Sequence, residues 1–464
     1  MTVANSADAS GTALGRRREQ RAWYWYDWAN SAYITSVGTV LIGPYLTSVA
    51  ERDACGRVGT TDNPCHANID LFGLGLSAGS LVFYVVTFAT LLSALVLPIV
   101  GAVADRVTSK RRLMARFAWT GAAAACAMFF VAGSNWELGA VLLVVANLCM
   151  GASLTVYDAI LIDVATPDER DRVSSRGWAF GYLGGGLLLL LNLGLVLGAG
   201  DAIGTDTAVR ISLLSAGLWW GGFTVIAYRG LRDHPPTALP DGEERTEGAL
   251  VRRSFGQLWS TLKHLKNYPQ TMLFLVAYLF YNDGIQTVIY SASIFGQKEL
   301  GFSAEVLIAT ILLVQFVAIA GALSFGVIAQ RVGARRTIMG GLVVWMVIVS
   351  CGYVMPEGEV VPFLVLATGI GIVMGGTQAL SRSLYSQMIP AGREAEYFSL
   401  YQAAERGTSW LGTLVFGLVH QLTGSYRPAI FALIAFFVIG FVLLVRLDAR
   451  RAITEAGREV PQSV

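Results

Sequence analysis

Charge is scarce in this sequence. Only 14% of its 464 residues are Asp, Glu, Lys or Arg, and 54% are hydrophobic. Soluble domains carry about 25% charged residues, so the balance excludes an ordinary soluble fold and points to a chain that places most of its surface in a lipid bilayer. The net charge of +2 is too small to suggest a nucleic-acid partner. Histidine is scarce: His66, His234, His264 and His420 are scattered without zinc-ligand spacing, so no metal site is expected. No Gly-Lys dipeptide occurs anywhere, which removes a phosphate-cradling P-loop. With no cofactor motif either, the chain does not read as an enzyme.

What is present is a succession of long apolar runs. Charged punctuation separates twelve candidate membrane spans, approximately residues 28–50, 77–104, 113–133, 138–165, 177–199, 211–228, 271–295, 306–329, 337–355, 360–389, 398–420 and 428–445. Ser48-Val49-Ala50 superficially resembles a signal-peptidase site, but the run before it is too long for a signal peptide and contains Asn30. A retained first span is expected. The fold class is therefore an all-α membrane protein of twelve transmembrane helices, with both termini on one side.

Orientation follows from Lys and Arg in the short loops. Arg106, Lys110, Arg111, Arg112, Arg170, Arg172, Arg176, Arg331, Arg335, Arg336 and the tail arginines all fall on the side of the N-terminus. The other face holds only Arg52, Arg57, Arg210, Lys298 and Arg427. The positive-inside rule then makes both termini cytoplasmic, in the plasma membrane if the source is bacterial. Cys126, Cys149 and Cys351 sit in apolar helices and read as packing, whereas Cys55 and Cys65 share a loop on the non-cytoplasmic face. There they could be joined as a disulfide or left as thiols.

The longest internal polar stretch divides the chain. We read residues 1–27 as a cytoplasmic tail, 28–228 as a first six-helix bundle, 229–269 as a cytoplasmic linker, 270–446 as a second bundle and 447–464 as a second tail. Late in the linker Phe255, Leu258, Trp259, Leu262 and Leu265 recur at helical spacing with Lys263 and Lys266 between them, the pattern of an amphipathic surface helix. The two halves echo each other. Gly101-Ala-Val-Ala-Asp105-Arg106 with Lys110 and Arg111 is matched by Gly326-Val-Ile-Ala-Gln330-Arg331 with Arg335 and Arg336, at a constant offset of 225 positions. Repetition at half the chain length marks secondary transporters, whose site lies between the repeats.

That loop resembles the signature loop of the major facilitator superfamily, in both halves. Thr108 stands where the family usually has Gly, and Gln330 replaces the Asp of the second copy. Four further stretches, at 25–33, 173–185, 281–287 and 375–384, resemble the vacuolar-effluxer-like, autophagy-related amino-acid permease branch. Asp158 and Ile162 stand where that branch has Asn and Pro. The resemblance implies two pseudo-symmetric six-helix bundles, alternating access, and spans one, four, seven and ten around a central cavity. The fungal relatives export amino acids from the vacuole.

The intramembrane polar residues are unevenly spread. An Asp at the bilayer midplane costs about 2.5–3.5 kcal/mol, so such residues usually face a wet path or a partner. Asp283, in the middle of span seven with Asn282 and Gln286, is expected to line a path and to couple transport to a proton or cation; the alternative is an Asp that only locks packing. Asn30, Tyr33, Tyr157, Asp158, Gln378, Arg382 and Glu405 complete the candidate substrate and coupling set. Asp158 and Arg382 each lie seven residues before the cytoplasmic end of their spans, so they can pair across the halves when that side is closed; alternatively Arg382 bonds carbonyls of its own bundle. Asp27, Gly101, Asp105, Arg106, Asp163, Arg331 and Arg335 are assigned to the cytoplasmic gate and signature loops. The ridge Gly177, Gly181, Gly185 has small-xxx-small spacing and reads as helix packing.

The expected function is secondary active transport of a small polar solute, amino acids preferred, exported with a proton as coupling ion by a monomer that needs no cofactor. Lipid or drug export by the same fold, and a non-transporting receptor or scaffold, are the alternatives.

Overall fold

Apolar residues fill every long segment of the chain, and in the computed structural model these segments are helices. The structure describes residues 2–59, 65, 67–71, 74–234, 266–407, 409–423 and 425–462. The first half comprises α1 (Thr2–Ala32), a wide π-helical turn (Tyr33–Leu41), α2 (Ile42–Cys55), α3 (Leu81–Ala104), α4 (Lys110–Ala127), α5 (Trp136–Val164), α6 (Arg170–Ile203) and α7 (Thr205–Gly230). The second comprises α8 (Pro269–Lys298), α9 (Ala304–Val332), α10 (Ala334–Tyr353), α11 (Val360–Gln387), α12 (Glu394–Gly407), α13 (Ser409–Thr423), α14 (Tyr426–Ala432) and α15 (Ile434–Arg446), followed by the short α16 (Ala449–Glu455).

Among the described residues eleven helices are long and apolar enough to cross a membrane. The remaining crossing, expected as one span over 398–420, is made by α12 and α13. Large side chains stand exposed along the outer faces, Phe83, Phe88, Leu91 and Leu95 on α3 among them, as lipid-facing surfaces require.

The expected N-terminal tail is not a separate element, because α1 runs unbroken into the first span. Polar contacts anchor it: Gln20 Nε2 donates to the Val164 carbonyl at 3.1 Å, Arg16 pairs with Glu169 at 3.1 Å, and Glu19 accepts from the Arg232 N–H at 3.0 Å. Most of the linker, including the amphipathic stretch from Phe255 to Leu265, lies outside the described residues. On the face opposite the termini Cys55 and Cys65 form a disulfide beside a two-stranded hairpin, β1 (Asn68–Leu71) and β2 (Leu74–Ser77).

The repeated glycines explain how the halves meet. A Cβ on Gly101 of α3 would stand 2.5 Å from the Ala395 carbonyl oxygen of α12, and one on Gly326 of α9 would stand 2.6 Å from Ser175 Oγ of α6. The 225-residue echo therefore places one close approach on each side of the interface, α3 on α12 and α9 on α6. Both lie at the ends of the helices nearest the termini, hereafter the terminal face.

Candidate functional site

Arg382 projects from α11 of the second half and is almost wholly buried among residues of the first. Its Nη2 lies 3.1 Å from Asp27 Oδ2 on α1, and its Nη1 lies 3.4 Å from Asp158 Oδ1 on α5. Nε donates to Ser174 Oγ at 3.0 Å and Nη2 to the Ser174 carbonyl at 3.1 Å, both on α6. Three rings face the guanidinium, Trp23, Trp178 and Tyr157, with centroids at 4.7, 5.4 and 5.6 Å. A guanidinium so desolvated is tolerable only because carboxylates, hydrogen-bond acceptors and π faces replace its water. Asp158 in turn accepts from Gln402 Nε2 of α12 at 2.8 Å. α5 runs helical through Ile162 to Val164, carrying Asp158 on an unbroken scaffold.

The depth argument from sequence paired Arg382 with Asp158; the structure brings them together and adds Asp27, which had been placed with the gate loops. Trp23, Trp178 and Ser174 were missed. Asp171, Ser174 and Trp178 follow one another at spacings of three and four, a polar and aromatic stripe on one face of α6 that could have been read from sequence.

The terminal face is closed by further bonds between the halves. Ser174 Oγ donates to the Ala379 carbonyl at 2.7 Å, Tyr182 to Gln378 at 2.9 Å, Ser383 to Asp171 at 2.5 Å, and Arg170 to the Ser386 carbonyl at 3.0 Å. The Asp105 carboxylate accepts from the backbone N–H groups of Ala395 and Glu396 at 2.8 and 2.9 Å. These are the unpaired donors of the first turn of α12, where the helix dipole favours an anion. Burial, and then Glu394 nearby, push the Asp105 carboxyl well above its usual range against the pull of Lys110 and the two N–H groups. Burial alone would raise Glu394 too, but Lys110 and Arg458 outweigh it and hold that group low. Lys110 also pairs with Asp163 at 3.1 Å. In the second copy Gln330 and Arg331 are exposed, and Arg335 donates to the Leu444 and Val445 carbonyls at 2.8 and 2.7 Å. The two loops thus differ: the first latches the halves and the second braces its own. Arg106 donates back to the Ala102 carbonyl at 3.4 Å.

Asp283 departs from the expectation of a path-lining carboxylate. It is fully buried inside the second half, and its Oδ2 accepts from the Gly412 N–H of α13 at 2.8 Å. From α8, Asp283 thus hydrogen-bonds the backbone of α13 within the same half. Among the described residues its Oδ1 has no hydrogen-bond partner, nor have Asn282 Oδ1 and Thr287 Oγ1. Asn282 Nδ2 donates to the Glu405 carbonyl of α12 at 3.4 Å.

The other candidates are dispersed. Asn30 donates to the Tyr26 carbonyl at 2.7 Å, Tyr33 to Asn147 at 3.2 Å, and Tyr157 to the Trp23 carbonyl at 3.2 Å. Gln286 and Glu405 are half-buried. The ridge Gly177, Gly181, Gly185 packs α6 against α1, as its spacing suggested, and Gly177 also leaves room for the guanidinium: a Cβ there would stand 3.1 Å from Arg382 Nη2.

Residues 15–457 match the family described as vacuole effluxer Atg22 like. A Bacillus subtilis protein named uncharacterized MFS-type transporter YxiO is 28% identical, with 92% of this chain and 94% of that one covered. Autophagy-related protein 22 of Pyricularia oryzae is 24% identical over 94% of this chain and 77% of its own. Among solved structures E. coli FucP, a major facilitator superfamily transporter in the outward conformation, superposes with a TM-score of 0.67 at 13% identity, covering 93% of this chain and 98% of that one. The fold is accordingly the twelve-helix, two-bundle fold of major facilitators.

Proposed function

The chain belongs to the vacuole effluxer Atg22-like family, is a multi-pass membrane transporter rather than an enzyme, and from that premise we propose that it exports amino acids or similar small zwitterions, driven by protons, through alternating access of its two halves. The observation that carries this reading is Arg382 of one half held by Asp27 and Asp158 of the other. A zwitterion suits such a bridge because its ammonium can take the carboxylates and its carboxylate the guanidinium fork as the halves separate. The family's description as effluxers supports the outward direction.

Loop arginines concentrated on the terminal face support a cytoplasmic placement of both termini, and the Cys55–Cys65 disulfide on the opposite face fits an oxidising exterior. The terminal-face bonds then define a state closed to the cytoplasm. Asp283 remains the residue proposed for proton coupling: a buried carboxylate that, among the described residues, has one unpartnered oxygen and no bonded cation can exchange a proton without breaking an ion pair.

Flux of labelled amino acids in proteoliposomes, with and without a pH gradient, tests the proposal. Gradient-dependent flux is the expected result. No flux of any amino acid would refute it, and ligand binding without flux would instead favour a receptor.

A further inference from the structure

The enclosure around Arg382 is built entirely by the first half, while its occupant comes from the second. Two of its aromatic walls hold each other in place. Trp23 and Tyr157 stack at 4.4 Å and 12°, and each donates to the other's backbone: Trp23 Nε1 to the Tyr157 carbonyl at 3.1 Å, Tyr157 Oη to the Trp23 carbonyl at 3.2 Å. Trp178 stands on α6 beside the gap left by Gly177. When the halves part at the terminal face, Arg382 must leave with α11. What stays behind is a preorganised box of three π faces with two carboxylates, a site complementary to a planar or tetrahedral cation and hostile to an anion.

We propose that this box binds the cationic group of the cargo, a guanidinium or primary ammonium, which takes the place of the Arg382 guanidinium once the terminal face opens. The inference rests on the transport reading above and narrows it to solutes bearing a cationic group beyond the zwitterion, basic amino acids first. Separating a buried pair leaves uncompensated charge. A cargo cation offsets that loss, so opening and loading are linked: the intramolecular guanidinium is the stand-in that keeps an unloaded carrier shut.

The test uses full-length protein in nanodiscs with methylguanidinium as the probe, followed by tryptophan fluorescence and by thermal shift. Arg382→Ala empties the box, and this variant is expected to bind methylguanidinium at least about tenfold more tightly than wild type. Adding Trp178→Ala is expected to remove most of that gain. On wild-type proteoliposomes, methylguanidinium and agmatine are expected to inhibit L-arginine flux while acetate is not, a measurement that stands even if Arg382→Ala does not fold. Unchanged methylguanidinium binding in a folded Arg382→Ala protein overturns the inference, and so does wild-type amino-acid flux indifferent to both cations. The latter result would leave the transport reading intact. Conversely, absence of all amino-acid flux together with tight guanidinium binding by Arg382→Ala would refute transport of amino acids and keep the cation box.

Discussion

Arg382 and Asp27 are 355 residues apart in sequence and belong to different halves, yet the guanidinium lies 3.1 Å from the carboxylate in the buried interior. The pair joins the first helix of the chain to α11 across the closed terminal face. Removing one partner of a buried ion pair costs about 3–5 kcal/mol, because the other charge is left stranded.

Asp27→Asn and Asp158→Asn should each weaken closure, and Asp27→Asn more, since Asp27 receives both terminal nitrogens of Arg382 while Asp158 receives one and keeps Gln402. A single reporter cysteine placed at Ser386, which is buried on the terminal side, should react with a membrane-impermeant maleimide at least about tenfold faster in the Asp27→Asn background. Equal rates in both backgrounds would show that the pair does not hold the face shut.

Asp283 separates packing from coupling. Asp283→Asn keeps an acceptor for the Gly412 N–H and should melt within a few degrees of wild type while losing dependence on the pH gradient. Asp283→Leu removes the acceptor and should cost about 1–3 kcal/mol of stability. An Asn variant that retains gradient-driven flux would move proton coupling to another residue.

Closure of the Asp105 latch should depend on pH. In the closed state burial and Glu394 raise the Asp105 carboxyl well above 3.8, whereas an open latch hydrates it and returns it toward that value. The closed state therefore binds the proton more tightly. Acidification across the window above 3.8 should favour closure, and raising the pH should favour opening. Glu394 has the opposite sign: held low by Lys110 and Arg458, it favours closure when ionised and loses that contribution only as pH falls below the usual carboxylate range. Crosslinking of a cysteine pair across the α3–α12 contact, followed against pH, should rise on the acid side, and Asp105→Asn should flatten the profile.

The disulfide should be structural rather than catalytic. It closes a loop with a sequence separation of 10, for which chain-entropy arguments give about 2–3 kcal/mol. Replacing both Cys55 and Cys65 by Ser should lower the melting temperature by a few degrees and leave flux unchanged. In denatured wild type, reduction should expose two additional thiols to maleimide labelling.

Apolar length and loop charge, which are properties of the chain alone, were enough to establish the membrane class, the twelve crossings and the common side of the termini. The repeat was legible for the same reason: Gly101 and Gly326 each had to be small, and a requirement for close backbone approach leaves a mark at a fixed spacing. Counting residues from the ends of two spans even placed Asp158 and Arg382 at one depth. Depth, however, is a single coordinate. Which way Asp283 turns is set by how α8 packs against α13, and its bond to the Gly412 N–H is not visible as any residue in α8. The enclosure of Arg382 likewise draws one ring or carboxylate from each of several helices. Only the packing of α1, α5 and α6 against α11 could decide that a buried arginine would find two carboxylates and three aromatic faces waiting for it.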